Sequence, residues 1–372
     1  GFTVPEMAAA VERMLRDIGM TQRFSPLVIV LGHGSTSLNN PHKSAYDCGA
    51  CGGGRGGANA RAWARMANDP RVRALLARRG LSLPEHTRFV GGYHDTCNDA
   101  VLFFDLEHLP LSHKAIFSQA REVLDKARQR NAHERCRRFE SAALHLTAEA
   151  ALRHVESRAE DLSQVRPECG HATNALCIVG RRGRTRGLFL DRRAFLTSYD
   201  PTQDDERGTI LARILQAVVP VCTGINLEYY FGYTDPTGWG CGTKLPHNVT
   251  SLLGVMDGAA SDLRPGLPWQ MLEIHEPVRL LFVVETTPRT MLGILDQYPA
   301  IGRVFHKAWA FLALLSPTGG ELQIFVEGRF QRYQASTARL ATASSSLSWY
   351  RGWRDHLAPA LIDPTQHGPV GS

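Results

Sequence analysis

The stretch SPLVIVLGHGSTSLNNPHKSAYDCGACGGGRGG, residues 25–57, decides the fold of the first part of the chain. It opens with SPLVIVLG, an apolar run of strand length, which is typical of a strand buried on both faces in a parallel α/β sheet. A glycine-rich loop follows at the carboxyl end of that strand, where ligands bind in open α/β sheets. The stretch therefore predicts an α/β domain with a ligand site in this loop.

His33 and Cys48 are the candidate metal ligands of this loop. His33 stands between two glycines directly after the strand, and Cys48 follows in Asp-Cys-Gly-Ala-Cys-Gly-Gly. A neutral imidazole and a thiolate are natural ligands of zinc, and the flanking glycines leave the imidazole uncrowded. The residues alone leave one alternative open, in which His33 caps a turn and Cys48 is a small buried apolar residue.

Cys48 and Cys51 form a Cys-x-x-Cys pair, which is a weak signal by itself. A zinc ribbon needs a second such pair, and a thioredoxin-like redox pair opens a helix, whereas glycines follow here. Either one cysteine binds the metal or the pair is structural. The run GGGRGG, residues 52–57, lacks the spacing of a phosphate-binding loop, so we do not expect nucleotide binding.

A second group of possible ligands lies in YHDTCND, which contains His94, Asp95, Cys97 and Asp99. These residues either supply further metal ligands or form a turn at the end of a strand, with side chains bonded to the backbone. The isolated His247 and His275 are expected to be structural.

The composition excludes several classes of protein. The 372 residues are 43% hydrophobic and 21% charged, as in a globular protein, and the net charge is +6. No block of Lys and Arg is interleaved with aromatic residues, so nucleic acid is not an expected ligand. The eight cysteines are scattered, which favours a reducing, cytoplasmic setting. No apolar run reaches the length of about 20 residues that a membrane span requires, so membrane association is expected to be peripheral.

The pattern of apolar residues predicts the order of the elements. We expect helices over 5–19 and 113–139, with a solvated basic face at Arg128, Arg130, Arg135, Arg137 and Arg138. Residues 59–80 are expected to form two helices with a break at Asp69-Pro70. Residues 205–231 are expected to be helical at first and irregular after Pro220, residues 288–315 to be helical with a break at Pro299, and residues 321–333 to form one strand.

Three regions are predicted from these elements. Residues 1–144 hold the zinc site, residues 145–334 form a second α/β region with a long Gly/Pro-rich loop over 232–270, and residues 335–372 form a flexible tail. The predicted fold class is α/β, with a mixed or mainly parallel sheet flanked by helices.

The longer motifs resemble the DabA family of probable inorganic carbon transporter subunits. They include GHGSTSLNNPHKSAYDCGACGG, RPECGHATNAL, FLTSYDPTQDDE and GCGTKLPHNVTSLLGVMDGAASDLRPGLPWQM, in this order. The resemblance implies a zinc site like that of β-class carbonic anhydrases. Its ligands are Cys and Asp of a Cys-x-Asp-x-Arg motif, followed by a His and a Cys of the glycine-rich region. His33 and Cys48 match the second pair, and Cys51 is not carried over as a ligand.

One departure from the family pattern decides what this chain is expected to do alone. The nearest string to Cys-x-Asp-x-Arg is Cys97-Asn98-Asp99, but Val101 stands where Arg belongs, and the order in the chain is wrong. The first residue is Gly rather than Met, so we expect the chain to be a C-terminal portion that holds two of the four zinc ligands. It is expected to bind zinc weakly and not to hydrate carbon dioxide by itself.

For the complete protein, the resemblance implies a zinc-binding subunit of an energy-coupled uptake complex. It would hydrate CO2 to bicarbonate in one direction, together with a membrane subunit, DabB, that resembles ion-translocating subunits of proton antiporters. The expected location is peripheral, on the cytoplasmic side of the inner membrane. Two alternatives remain: a zinc hydrolase or lyase that acts alone, and a non-catalytic module with a structural zinc knuckle at Cys48 and Cys51.

Overall fold

A computed structural model describes residues 1–38, 54–161, 164, 166–168, 170–239, 276–334 and 336–365, together with three short strands between 248 and 264. The helices are α1 (Val4–Asp17), α2 (Gly57–Asn68), α3 (Pro70–Arg78), α4 (Leu111–Cys136), α5 (Ala148–Glu160), α6 (Thr209–Thr234), α7 (Pro288–Gln297), α8 (Pro299–His306) and α9 (Ser346–Tyr350). The strands are β1 (Leu27–Gly34), β2 (Arg88–Asp95), β3 (Val101–Phe103), β4 (Leu176–Gly180), β5 (Leu188–Phe189), β6 (Ala194–Ser198), β7 (Asn248–Val249), β8 (Val255–Met256), β9 (Leu263–Arg264), β10 (Leu281–Glu285), β11 (Phe311–Leu315), β12 (Leu322–Val326), β13 (Arg329–Arg332), β14 (Ala341–Ala343) and β15 (Ala360–Ile362).

The first sheet has the order β1-β2-β3, with β1 and β2 parallel and β3 antiparallel to β2. Val28 and Val30 of β1 pack with Phe89 of β2 into an apolar cluster that also holds residues of α1, α2 and α3. Side chains alternate between the two faces of a strand, so the odd-numbered residues of β1, which include His33, point to the face opposite this cluster. Among the described residues, β1 has a strand neighbour on one side only.

The second sheet has the order β13-β12-β11-β10-β4-β6, in which β11, β10, β4 and β6 are parallel, β12 is antiparallel to β11, and β13 is antiparallel to β12. The central strands bury Cys177, Phe282 and Leu312, and α6 packs on them through Leu211 and Leu215. Burying both faces under helices explains why β10 and β11 are almost wholly apolar. The α/β class with a mixed sheet is confirmed.

Helix breaks at proline are confirmed in two places. Asp69 caps α3 by accepting a hydrogen bond from the Arg71 N–H at 2.8 Å, and Pro70 begins that helix. Pro299 begins α8 in the same way. Proline has no N–H to donate and is accommodated at the first helical position, so it ends one helix and starts the next.

Three predicted elements differ from the structure. Helix α6 continues through Pro220 to Thr234, because the residues on both sides of the proline lie in the core and hold the helix together. Residues 311–315 are the parallel strand β11, not helix. A short apolar run is compatible with either element, and only its place between β10 and β12 decides. Residues 321–333 form the hairpin β12–β13, which turns at Glu327 and Gly328, both with positive φ.

The predicted solvated basic face of α4 is wrong for Arg135 and Arg137. Both side chains are buried, and each is paired with a buried or half-buried carboxylate: Arg135 with Asp99 and Arg137 with Asp191. A guanidinium can be buried when its donors are satisfied by a carboxylate and by backbone carbonyls. The periodicity of α4 alone does not show these partners.

Residues 336–365 differ from the expected flexible tail. Strand β15 pairs with β14 and with β5, and Tyr350 of α9 is buried near Phe189. Arg137 donates to the carbonyl oxygen of Asp355 at 2.7 Å, which ties this segment to the end of α4.

Helix α6 is the one described helix whose length and composition would allow it to cross a bilayer. Core helices of globular proteins meet the same criterion. In this fold α6 buries Leu211, Leu215, Val219 and Cys222 against the second sheet.

Candidate functional site

His33 lies next to the last residue of β1, at the carboxyl edge of the first sheet, and its side chain is exposed. It is in register with His94 of the parallel strand β2, so the two imidazoles leave the same face of the sheet. Cys48 and Cys51 lie outside the described residues, as do His247 and His275. The His33–Cys48 pair therefore stays a prediction.

Glycines bring the end of the glycine-rich stretch into backbone contact with β1. The Gly56 N–H donates to the carbonyl oxygen of His33 at 2.8 Å. A Cβ at Gly32 would lie 2.0 Å from the carbonyl oxygen of Gly56, and a Cβ at Gly56 would lie 2.9 Å from the nitrogen of His33. No side chain fits between these two segments. The glycines thus fix where the loop returns to the strand that carries His33.

Asp95 organises the turns that follow both strands. It is buried at the end of β2 and accepts hydrogen bonds from the Thr36 N–H at 3.2 Å, the Thr36 hydroxyl at 2.6 Å and the Cys97 N–H at 3.2 Å. Thr96 donates to the carbonyl oxygen of Gly34 through its N–H, at 2.8 Å, and through its hydroxyl, at 3.0 Å. These bonds hold the ends of β1 and β2 together next to His33, in the manner of an Asx turn.

Asp99 connects this turn to helix α4. It accepts hydrogen bonds from Arg135 Nη2 at 2.7 Å and from the Asn131 amide, and its Oδ1 lies 2.9 Å from His94 Nε2. Burial by itself would raise the pKa of Asp99, but the His94 hydrogen bond, the Arg135 charge and the Asn131 hydrogen bond outweigh it and lower the pKa to about 2. The Asp99 carboxylate is therefore ionised and fully engaged.

The Arg135 side chain also donates hydrogen bonds to the backbone of the same turn. Its Nη1 donates to the carbonyl oxygens of Cys97 at 3.1 Å and Pro167 at 2.9 Å. Arg128, two turns earlier on the same face of α4, donates to the carbonyl oxygen of Asn98 at 2.8 Å. The side chains of α4 thus hold the segment that follows β2 in a fixed position beneath the candidate site.

The residues of YHDTCND are used for structure. Burial raises the pKa of the Cys97 thiol to about 12, with the nearby Asp95 adding to the effect against a hydrogen bond with Thr36. Among the described residues, no group of three or more His, Cys, Asp or Glu side chains is placed to hold a metal ion. Asp95 and Asp99 make the hydrogen bonds to backbone and side chains that the structural alternative predicts for this turn.

Glu168 has a buried carboxylate near the candidate site. The sequence did not predict a role for this residue. Its Oε1 accepts a hydrogen bond from the Ser35 hydroxyl, two residues after His33. Its Oε2 makes no hydrogen bond within the described part of the chain. The only sequence signal was its place in RPECGHATNAL, a motif without a known spacing for metal or acid–base chemistry.

The Asp99 contacts predict a pH-dependent contribution to stability. The pKa of Asp99 is lowered from 3.8 to about 2, so its contribution is fully present above pH ~4 and is lost as the pH falls toward 2. Asp99→Asn should reduce the free energy of unfolding by about 2 kcal/mol at pH 6, and this difference should shrink below pH ~4. Urea titrations of both proteins at several pH values measure it. Asp125→Asn, on the exposed side of α4, is the control and should change stability by less than about 0.5 kcal/mol. A difference that does not vary with pH would contradict the prediction.

The sequence matches the family model described as "DabA: Probable inorganic carbon transporter subunit DabA" over residues 1–310. Among curated relatives, "Probable inorganic carbon transporter subunit DabA 2" of Rhodopirellula baltica is 57% identical over 373 residues, covering 100% of this chain and 35% of the relative. The protein of the same description from Sorangium cellulosum is 53% identical, with 99% of this chain and 36% of the relative covered. A DabA of Azotobacter vinelandii is 47% identical, with 96% and 42% covered.

The chain spans roughly a third of the length of the first two of these relatives. No solved structure matches the chain.

Proposed function

The chain belongs to the DabA family, and from this premise we propose that it forms the His33–Cys48 part of a zinc site in an inorganic carbon uptake complex. The observation that carries the proposal is the placement of His33. Its exposed imidazole stands at the carboxyl end of a parallel strand, and the glycine-rich stretch is held against that strand by its backbone. This is the position at which α/β sheets bind ligands.

The donor chemistry fits zinc. Imidazole and thiolate are preferred ligands of this ion, and His33 and Cys48 are one of each. When bound, zinc supplies Lewis acidity and lowers the pKa of water near neutrality. The described residues contribute to that chemistry by position: Asp95 and Thr96 hold the two strand ends, and Arg135 holds the turn beneath them.

The remaining ligands are proposed to come from a segment outside this chain. Among the described residues, no group of three or more His, Cys, Asp or Glu side chains is placed to hold a metal ion, and within the same residues β1 pairs with β2 alone. Leu31, on the same face of β1 as His33, is 40% exposed, which leaves an apolar surface next to the open edge. A further strand of the family's longer polypeptide would pair with this edge and carry the Cys-x-Asp-x-Arg ligands toward His33.

The reaction proposed for the complete protein is hydration of CO2 to bicarbonate, coupled to ion flow through a DabB-like membrane subunit. The description of the relatives as subunits of a transporter supports assembly with a partner. The proposed place is the cytoplasmic face of the inner membrane, with contact to the bilayer through that partner.

The test is zinc content of the full-length protein purified with its membrane partner. His33→Ala and Cys48→Ala should each lower zinc affinity by at least tenfold, because each removes a ligand from a four-ligand site. Each should also abolish the ability of the complex to restore growth that depends on CO2 uptake (growth rescue). Cys51→Ala is the matched control and should keep both zinc and rescue. Zinc loss in Cys51→Ala would favour the structural knuckle instead. Normal zinc content in His33→Ala would refute the ligand assignment, and CO2 hydration by the soluble 372-residue chain would favour an enzyme that acts alone.

A further inference from the structure

An apolar groove lies between helix α4 and strand β1, on the face of the first sheet to which His33 points. It has a volume of about 520 Å³ and is open to solvent. Its lining on β1 is Ile29 and Leu31, two odd-numbered residues of the strand. Its lining on α4 includes Ile116, Ala120, Val123 and Leu124. These six residues define what we call the α4–β1 groove.

The α4 side of this groove is a helical packing stripe that is only partly covered. Ile116, Ala120 and Val123 are spaced i, i+4 and i+7, which places them on one face of the helix. A stripe of this kind normally packs against another element, yet the Val123 side chain is 64% exposed. The neighbouring Phe117 packs on Phe103 of β3, with ring centroids 5.0 Å apart. Helix α4 therefore covers the β3 side of the sheet and leaves its other apolar flank open beside β1.

Strand β1 has the composition of a central strand. Leu27–Gly34, with the sequence LVIVLGHG, contains no Lys, Arg, Asp, Glu or Pro, and its first five residues are apolar on both faces. Edge strands usually carry a charge, a proline or a bulge that prevents further pairing, whereas parallel strands covered on both faces are apolar throughout. Within the described residues β1 pairs with β2 alone, and helices α1, α2 and α3 cover its even-numbered side. The odd-numbered side, at Ile29 and Leu31, faces the groove.

We propose that the α4–β1 groove is the docking site of an amphipathic α-helix from another part of the longer DabA polypeptide. This chain covers 35% and 36% of two of its relatives, so most of each relative lies outside the matched region. Parallel strands are joined by crossover helices that lie on the faces of the sheet. A strand that adds to the β1 edge therefore brings a helix to this face. The same segment supplies the remaining zinc ligands in the proposed function, on which this assignment rests.

The size of the groove favours a helix of the same polypeptide over a separate protein. Stable interfaces between separate chains involve about 20–30 residues on each side, because association has to offset the loss of translational and rotational freedom. Six residues are far fewer than this, but they match the contact that one helix makes with its neighbour. The small side chain of Ala120, at the middle of the stripe, lets a second helix approach α4 closely.

The experiment is site-specific photo-crosslinking in the full-length protein purified with its membrane partner. p-Benzoylphenylalanine takes the place of Val123 in one variant and of Gln119 in another, and mass spectrometry identifies the linked residues. Both positions line the groove and are exposed, so either variant can fold if the other does not. Each should link to the same polypeptide outside these 372 residues. The two linked residues should lie three or four positions apart, because one turn of α4 faces one turn of a helix.

Asp125 is the matched control position. It is exposed on α4 and lies two residues after Val123, so it points to a different side of the helix. p-Benzoylphenylalanine in place of Asp125 should give at least tenfold less of the external link.

Four results would refute the proposal. They are a link from position 119 or 123 to the membrane subunit, a species of twice the mass that shows a second copy, an external link no stronger than that from position 125, and linked residues two positions apart, as in an extended strand. Zinc content after His33→Ala reports separately on the ligand assignment. An external link together with normal zinc in His33→Ala refutes that assignment alone, whereas zinc loss without the link refutes the groove assignment alone.

Discussion

Replacing Arg135 with alanine is expected to destabilise the protein by about 3–5 kcal/mol, more than any other single charge removal near the candidate site. The Arg135 side chain is almost fully buried and paired with Asp99 at 2.7 Å. Its loss leaves the Asp99 carboxylate without its counter-charge and the carbonyl oxygens of Cys97 and Pro167 without a donor. Breaking one side of a buried pair is costly because the remaining charge is uncompensated. The shift in urea midpoint at pH 7 measures the effect.

The control for Arg135→Ala lies on the same helix. Arg130 is exposed on α4, and Arg130→Ala should change the free energy of unfolding by less than about 0.5 kcal/mol. The double variant Arg135→Ala with Asp99→Ala should be more stable than Arg135→Ala alone, because it also removes the carboxylate that is otherwise left without a counter-charge. If Arg135→Ala costs less than about 1 kcal/mol, the pair is not what holds the turn after β2.

The burial of Arg135 also shows what could not be predicted from the sequence. Arg128, Asn131 and Arg135 are spaced i, i+3 and i+7, so they lie on one face of α4, and this spacing was available from the sequence. Arginine is mostly exposed, however, and a basic helix face is usually solvated. The partners that bury it, Asp99 and the backbone after β2, are distant in sequence. Only the packing of α4 on the first sheet brings them together.

The same limit explains which elements were predicted. Pro70 and Pro299 act locally, through a missing N–H, and both helix breaks are confirmed. Pro220 acts locally too, but the core contacts of α6 override it. Residues 311–315 carry no local signal that separates a buried strand from a helix, since the hydrogen bonds to β10 and β12 are what define β11.

For the candidate site, sequence identified His33 and its place at the end of a strand, but not the arrangement around it. Asp95 and Asp99 were considered as metal ligands because of their residue types. Their roles as acceptors for Thr36, Cys97 and Arg135 follow from the parallel pairing of β1 with β2, which sets the two turns side by side. Glu168 reaches Ser35 across 133 residues of sequence, a contact that no local pattern indicates.

Gly32→Ala is the variant that tests the glycine-rich stretch directly, and we expect it to destabilise the protein by about 3 kcal/mol. The added Cβ would lie 2.0 Å from the Gly56 carbonyl oxygen and 2.2 Å from its carbon. Backbone cannot yield as a side chain end can, so the returning loop must move away from β1. That movement would also break the 2.8 Å hydrogen bond from the Gly56 N–H to His33. Thermal and urea unfolding measure the loss of stability.

Movement of the loop should also weaken metal binding. Zinc affinity measured on the folded protein therefore distinguishes a local displacement of the loop from a loss of global stability. In the full-length protein, Gly32→Ala should lower zinc affinity at least tenfold at temperatures where the protein is still folded, because the segment that carries Cys48 is joined to β1 through Gly56. Gly293→Ala is the matched control: its Cβ meets open space on α7, so the substitution should raise stability by about 0.5–1 kcal/mol and leave zinc unchanged. Wild-type stability and zinc content in Gly32→Ala would show that close backbone contact between β1 and the loop is not required, and that the glycines of this stretch serve another purpose.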